Sequence, residues 1–299
     1  MAVYKKTYQR YEGALTPEWS RFLVMPRYAL EEMRSSRFLT LFYSASLLAP
    51  LVYAIFIYAW HNLSALKLMQ VDPARLIPID ARLFVNYLGL QCMLAFCFTA
   101  FIGPGLVSPD LANQALPLYL SRPLTRKQYV IGKMSVLVIL LSVMTWIPGL
   151  LLFGLQSYLD NTGWFGKNLR IASGIFFGSC IWILVLSLLA LAISAWVKWK
   201  PVAGAMLFGV FFVAAGFGFV ISGILRTRWG GLINIGLLMG TIWEWLFSEP
   251  SRRGEGAVFF RVSSNMALPV WCAWAALTAM CLLCLYLLAR KIRGAEVIR

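Results

Sequence analysis

The chain has 299 residues, 60% hydrophobic and 13% charged, with a formal net charge of +15 and a mean hydropathy of +0.74. Soluble domains are about 45–50% apolar and about 25% charged, so this composition excludes a soluble globule and indicates an all-α integral membrane protein. At roughly 20 residues per helix the length allows about six spans, and cations that flank spans and meet anionic lipid account for the positive balance without nucleic-acid binding, for which no recognition motif is present.

Residues 1–38 form a polar, basic N-terminal segment. Within it "RYALEEMRSSRF" (27–38) predicts a short amphipathic helix with Tyr28, Leu30, Met33 and Phe38 offered to the bilayer surface, and Pro26 suits a break or a first helical turn. The first apolar run begins near residue 39, after a long polar lead, and exceeds a signal-peptide core, so it is read as an anchor that stays in the protein. Six transmembrane helices are predicted at about 39–60, 83–107, 130–155, 171–196, 202–225 and 268–290, making 39–299 one transmembrane domain. Six spans put both termini on one face, where 17 of the 27 Lys and Arg fall. Five of the other ten lie in 226–267, and long loops translocate with less regard to charge, so both termini are predicted cytoplasmic.

The stretch "WGGLINIGLLMGTIWEWLF" (229–247) is long and apolar enough for a seventh span. That alternative would carry the basic tail "ARKIRGAEVIR" to the opposite face. It would also draw Glu244 toward the bilayer, at about 2.5–3.5 kcal/mol for a mid-depth carboxylate. One or two re-entrant or interfacial helices within an outer region, 226–267, are expected instead, with Trp229, Trp243 and Trp245 at an interface. Gly236 and Gly240 make a GxxxG, a spacing frequent by chance.

Chemistry-bearing constellations are sparse. All six cysteines lie in hydrophobic runs, and "CLLC" (281–284) has neither a second pair nor a histidine cluster, so neither a disulfide frame nor a metal site is indicated. His61, the single histidine, follows Trp60 at the end of the first span, and Asp72, Asp80 and Asp160 fall in outer loops with no partner for catalysis. Neither GxSxG nor GxxxxGK[ST] occurs, so no enzyme activity and no ATPase site are expected in this chain. No Asp, Glu, Lys or Arg lies in 39–60, 83–107, 171–196 or 202–225, which counts against ion-coupled transport through a buried carboxylate. The fifth span is rich in glycine and phenylalanine; Phe211, Phe212, Gly216 and Gly218 are candidates for a translocation path, with packing as the plainer role for each.

The loop between the second and third spans is different. Residues 108–133 read "SPDLANQALPLYLSRPLTRKQYVIGK". Ser108 with Asp110 is expected to cap a short helix there, Pro117 and Pro123 to limit it, and Thr125 to cap the helix entering the third span. An ordinary loop whose cations set topology explains any one of these charges. The whole string resembles the cytoplasmic loop of ABC-2 type transporter permeases: an acidic residue (Asp110), then Tyr119, Leu120, Ser121, Arg122, Pro123, Leu124, Thr125 and Arg126, then Gly132 and Lys133. It departs from that pattern where Gln114 and Ala115 replace Gly-Thr and where Pro117 stands in place of a polar residue.

That resemblance implies the membrane subunit of an ATP-binding cassette exporter in a cell membrane, such as a bacterial inner membrane. Loop 108–129 would be the coupling element that docks on a separate ATPase subunit, with Asp110, Tyr119, Ser121, Arg122, Pro123, Thr125, Arg126 and Lys127 as its coupling-loop residues and Arg122, Arg126 and Lys127 able to pair with acidic groups on that partner. The partner ATPase would bind the ATP and magnesium, leaving this chain with no cofactor. A second permease, identical or related, would complete the assembly, with the path between the two permeases and an apolar wall suited to a hydrophobic or lipid-like substrate. A non-transporting membrane anchor or regulatory subunit is the alternative.

Overall fold

A computed structural model describes residues 24–62, 79–113, 126–160, 163–247 and 268–291, and every regular element among them is helical. Six helices are long and apolar enough to cross a membrane: Arg37–His61, Ala81–Asp110, Arg126–Leu159, Leu169–Trp196, Lys200–Leu225 and Val270–Lys291. The shortest has 22 residues, about 33 Å at 1.5 Å per residue, enough for a hydrocarbon core of about 30 Å. The protein is thus an all-α, multi-pass membrane protein, and each span lies within a few residues of its predicted position.

The second and fourth spans form the centre. Of their most apolar stretches 67% and 72% is buried, against 17%, 22% and 28% for the first, fifth and sixth. Trp182 of the fourth span is fully enclosed and donates to the Cys92 carbonyl of the second at 3.0 Å. The outer spans expose Leu, Val, Ile and Phe on their far faces, as lipid contact requires.

Three spans are broken, each beside a proline. The first breaks at Leu47 ahead of Pro50, the second at Gly103 before Pro104, and the third at Thr145 ahead of Pro148. Proline has no N–H, so it frees the carbonyl four residues earlier: Ser46, Ala100 and Met144 respectively. Gln91, fully buried on the second span, donates from Nε2 to the Ser46 carbonyl at 3.1 Å and to the Met144 carbonyl at 2.7 Å. One amide therefore serves the freed carbonyls of the first and third spans together. At Ala100 a Cβ on Gly204 would sit 2.8 Å from the carbonyl oxygen, so the fifth span begins against the break in the second span only because that residue is glycine.

The chain leaves the fifth span through Arg226, whose φ of 49° turns it back. A 3-10 turn, Trp229–Ile233, then packs beside Ala214–Leu225, and helix Ile235–Phe247 runs along the fourth span. That helix has 13 residues, about 20 Å, too short to cross by itself. Its Trp243 lies against Gly178, and Arg170, at the start of the fourth span, donates to the Trp245 and Leu246 carbonyls at 2.9 and 3.0 Å. Trp229 and Trp245 are exposed as an interface would require, but Trp243 is buried between this helix and Trp182, correcting its expected interfacial position. Gly236 and Gly240 are buried as well. The part of the predicted outer region beyond Phe247, up to residue 267, lies outside the described residues.

Candidate functional site

The described residues nearest the polar loop are its two roots. On one side, helix Pro104–Ala112 continues the second span past its break; on the other, the third span begins at Arg126. Tyr129 and Lys133 are one turn apart on the third span, so both side chains reach the same point. That point is Asp110. Its Oδ2 accepts from the Tyr129 hydroxyl at 2.7 Å and from Lys133 Nζ at 2.8 Å. Tyr129 is fully buried, and the Asp110 and Lys133 side chains keep only 15% of their exposure each. Lys133 also lies 5.8 Å from the centre of the Tyr129 ring. A charged pair with so little water is held far more strictly than a surface pair, because either charge alone would be left without solvation.

Ser108 and Asp110 do not cap a separate helix, as the sequence suggested. The second span runs through both, which frees their side chains for contacts across the bundle. The Ser108 hydroxyl is hydrogen-bonded to the Val197 and Lys198 carbonyls at the end of the fourth span. Ser194 accepts from the Ser108 and Val107 amides at 2.9 and 3.3 Å and donates to the Pro104 carbonyl at 3.0 Å. These bonds fasten the stretch just past the Gly103–Pro104 break to the fourth span. The root of the loop is thereby tied to the second, third and fourth spans.

The N-terminal helix completes the surround. It spans Val24–Ser35, includes Pro26 in its first turn, and packs on the third span. Met33 turns inward and is buried, while Tyr28 and Phe38 are exposed. The expected outward row of Tyr28, Leu30, Met33 and Phe38 is therefore split, with Met33 serving the core.

Arg126 and Lys127 are exposed on the first turn of the third span. Tyr119, Ser121, Arg122, Pro123 and Thr125, with Pro117, lie outside the described residues. In the fifth span, Phe211 is buried with its ring centre 4.5 Å from Phe96 and 5.8 Å from Trp182. A Cβ on Gly218 would meet the Gly230 carbonyl oxygen at 2.5 Å. Phe212 and Gly216 face outward instead, and a Cβ on Gly216 would meet nothing within 4 Å. Phe211 and Phe212 fall within a π-helical turn, Gly209–Val213, a widened geometry common where helices serve function.

Sequence analysis leaves Tyr129, Ser194 and Gln91 unassigned. Tyr129 carries a usable signal, a phenol one turn before Lys133 inside the loop string. Gln91 is a lone amide in an apolar run, and Ser194 has no sequence signal to set it apart. Among the described residues no three His, Cys, Asp or Glu gather to hold a metal ion, and all six thiols are free. The chain matches no protein-family model and no curated protein.

Proposed function

We propose that the chain is the permease subunit of an ATP-binding cassette exporter of the ABC-2 type, driven by a separate ATPase that docks on the polar loop. The observation that carries the reading is the loop string 110–133 taken with the shared Asp110–Tyr129–Lys133 contact at its roots. A coupling element must pass force into the membrane, and one carboxylate clamped by two groups on the next span makes the ends of both spans move together. Arg122, Arg126 and Lys127 offer donors for acidic groups on the partner. Energy supplied from outside the bilayer also agrees with the lack of Asp, Glu, Lys and Arg in 39–60, 83–107, 171–196 and 202–225.

The finer topology belongs to the same proposal. The N-terminal helix lies at the membrane surface and acts as a second lever; the segment from Arg226 to Phe247 dips into the bilayer and returns; both termini are cytoplasmic, in a cell membrane of the bacterial inner type. A second permease, identical or related, pairs with this one, and a hydrophobic or lipid-like substrate passes between them. The outward-facing Phe212 and Gly216 are the candidate wall.

The test is ATP turnover by the complex reconstituted in liposomes. Asp110→Asn should leave the ATPase bound through the loop cations but reduce transport per ATP hydrolysed. Normal coupling in that variant would remove the clamp from the mechanism. A partner that binds the loop yet hydrolyses no nucleotide would favour the anchor or regulatory reading.

A further inference from the structure

The breaks in the first and third spans lie at one level, since a single amide, that of Gln91, reaches the Ser46 carbonyl at 3.1 Å and the Met144 carbonyl at 2.7 Å. They divide each span into a loop-side half, Arg37–Ser46 and Arg126–Met144, and a far half, Leu48–His61 and Trp146–Leu159. The two kinds of half are held differently. On the loop side, the Tyr43 hydroxyl donates to the Leu140 carbonyl at 3.0 Å, and Tyr129 and Lys133 both engage Asp110. Beyond the breaks, among the described residues, no side-chain hydrogen bond joins 48–61 or 146–159 to another span; that of His61 stays within its own helix. The far halves pack against each other and meet the centre of the bundle through apolar surface, with Gly149 close on Ile175 and Phe153 beside Phe84.

Inside a bilayer this difference decides which half can move. Lipid tails are as apolar as leucine, so parted apolar helix surfaces meet an equivalent solvent, whereas a broken hydrogen bond finds no water to replace it. Pro50 and Pro148 have already removed the helical bonds that would stiffen each span at its break. The amide between them is only half satisfied. Gln91 Oε1 is buried and accepts from no donor, while the Ser46, Tyr87 and Thr145 hydroxyls around it are spent on the Tyr43, Thr145 and Leu141 carbonyls. A buried acceptor without a donor raises the free energy of this arrangement and so lowers the cost of leaving it. We infer that the first and third spans share one hinge, pinned by Gln91, about which their far halves swing as one body while the loop-side halves stay fixed. Each far half has 14 residues, about 21 Å, so a swing of about 20°, the size of a marked helix kink, carries its end by about 7 Å. The hinge is built into this chain and operates whether or not an ATPase docks on the loop.

Electron–electron distance measurements on the full chain in nanodiscs test this, with spin labels carried by a ketone-bearing amino acid at exposed positions so that all six cysteines stay native. Labels at Tyr58 with Trp271, and at Tyr158 with Trp271, report the two far halves; labels at Ile131 with Trp199 report the loop-side half of the third span. Gln91→Leu removes the pin, and both far-half distances should shift or spread by about 7 Å while the Ile131–Trp199 distance stays unchanged. Adding Pro50→Ala/Pro148→Ala, which restores the helical bonds across both breaks, should return each far-half distance to a single narrow maximum. If melting temperature and monodispersity show that Gln91→Leu does not fold, the wild type beside Pro50→Ala/Pro148→Ala decides instead, and the far-half distributions should be narrower in the proline variant. Far-half distances indifferent to Gln91→Leu would overturn the hinge, as would a loop-side shift as large as the far one or equal widths with and without the prolines. A change at Tyr158 with none at Tyr58 would show that the two halves do not move as one body and would overturn it too. Because no ATPase enters the measurement, loss of the hinge leaves the permease reading standing, and loss of that reading leaves the hinge.

Discussion

With a phenol at 2.7 Å and an ammonium at 2.8 Å, the Asp110 carboxylate has exchanged most of its water for two donors on the next span. Asp110→Asn or Lys133→Met leaves one charge nearly buried and unpaired. Each should lower stability by about 3 kcal/mol, the low end for a buried pair because both side chains keep some exposure. Thermal unfolding in detergent would measure this, and the double variant Asp110→Asn/Lys133→Met should cost less than the two single changes added together. Tyr129→Phe should cost about 1.5–3 kcal/mol, the usual range for a hydrogen bond to a charged group. The sequence marks Asp110 and Lys133 as members of a string, but their contact joins residues 23 positions apart across a loop, and no local pattern encodes that closure.

Among the helices, the prolines matter most. Pro50 and Pro148 each free a carbonyl, and Gln91 answers both. Gln91→Leu should therefore destabilise by about 1–3 kcal/mol, two interhelical hydrogen bonds at the values found in membranes. In a Pro50→Ala/Pro148→Ala background the restored N–H groups take over those carbonyls, and the same substitution should cost clearly less; thermal unfolding of the four proteins checks this. Glycines of the fifth span divide just as sharply. Gly218→Leu should prevent proper folding, since its Cβ would collide with the Gly230 backbone, whereas Gly216→Ala should be neutral or stabilise by a few tenths of a kcal/mol. Yield of monodisperse protein and melting temperature distinguish them. Prolines in apolar runs are visible in the sequence and foretell broken helices, but not which side chain from another span will serve the freed carbonyls. Trp243 teaches the converse: its composition suits an interface, yet the glycine at position 178 opens a buried place for its ring.

Over the whole molecule, the six spans are legible because each is a long apolar run interrupted by polar residues, and hydropathy alone locates them. Their order in the bundle is not legible in the same way. The central second and fourth spans are no more apolar as a class than the exposed fifth, so burial is decided by small residues and matched shapes that only the assembled bundle reveals. The proposed role rests on the loop that this bundle carries. Its most direct test is affinity capture of the tagged full chain from its native membranes in mild detergent, wild type beside Arg122→Glu/Arg126→Glu, with identification of bound proteins and assay of ATP hydrolysis. A nucleotide-hydrolysing protein that accompanies the wild type and is lost or uncoupled in the variant is the predicted result. An intact chain that brings down no ATPase, in a detergent shown to preserve other membrane complexes, would contradict the account.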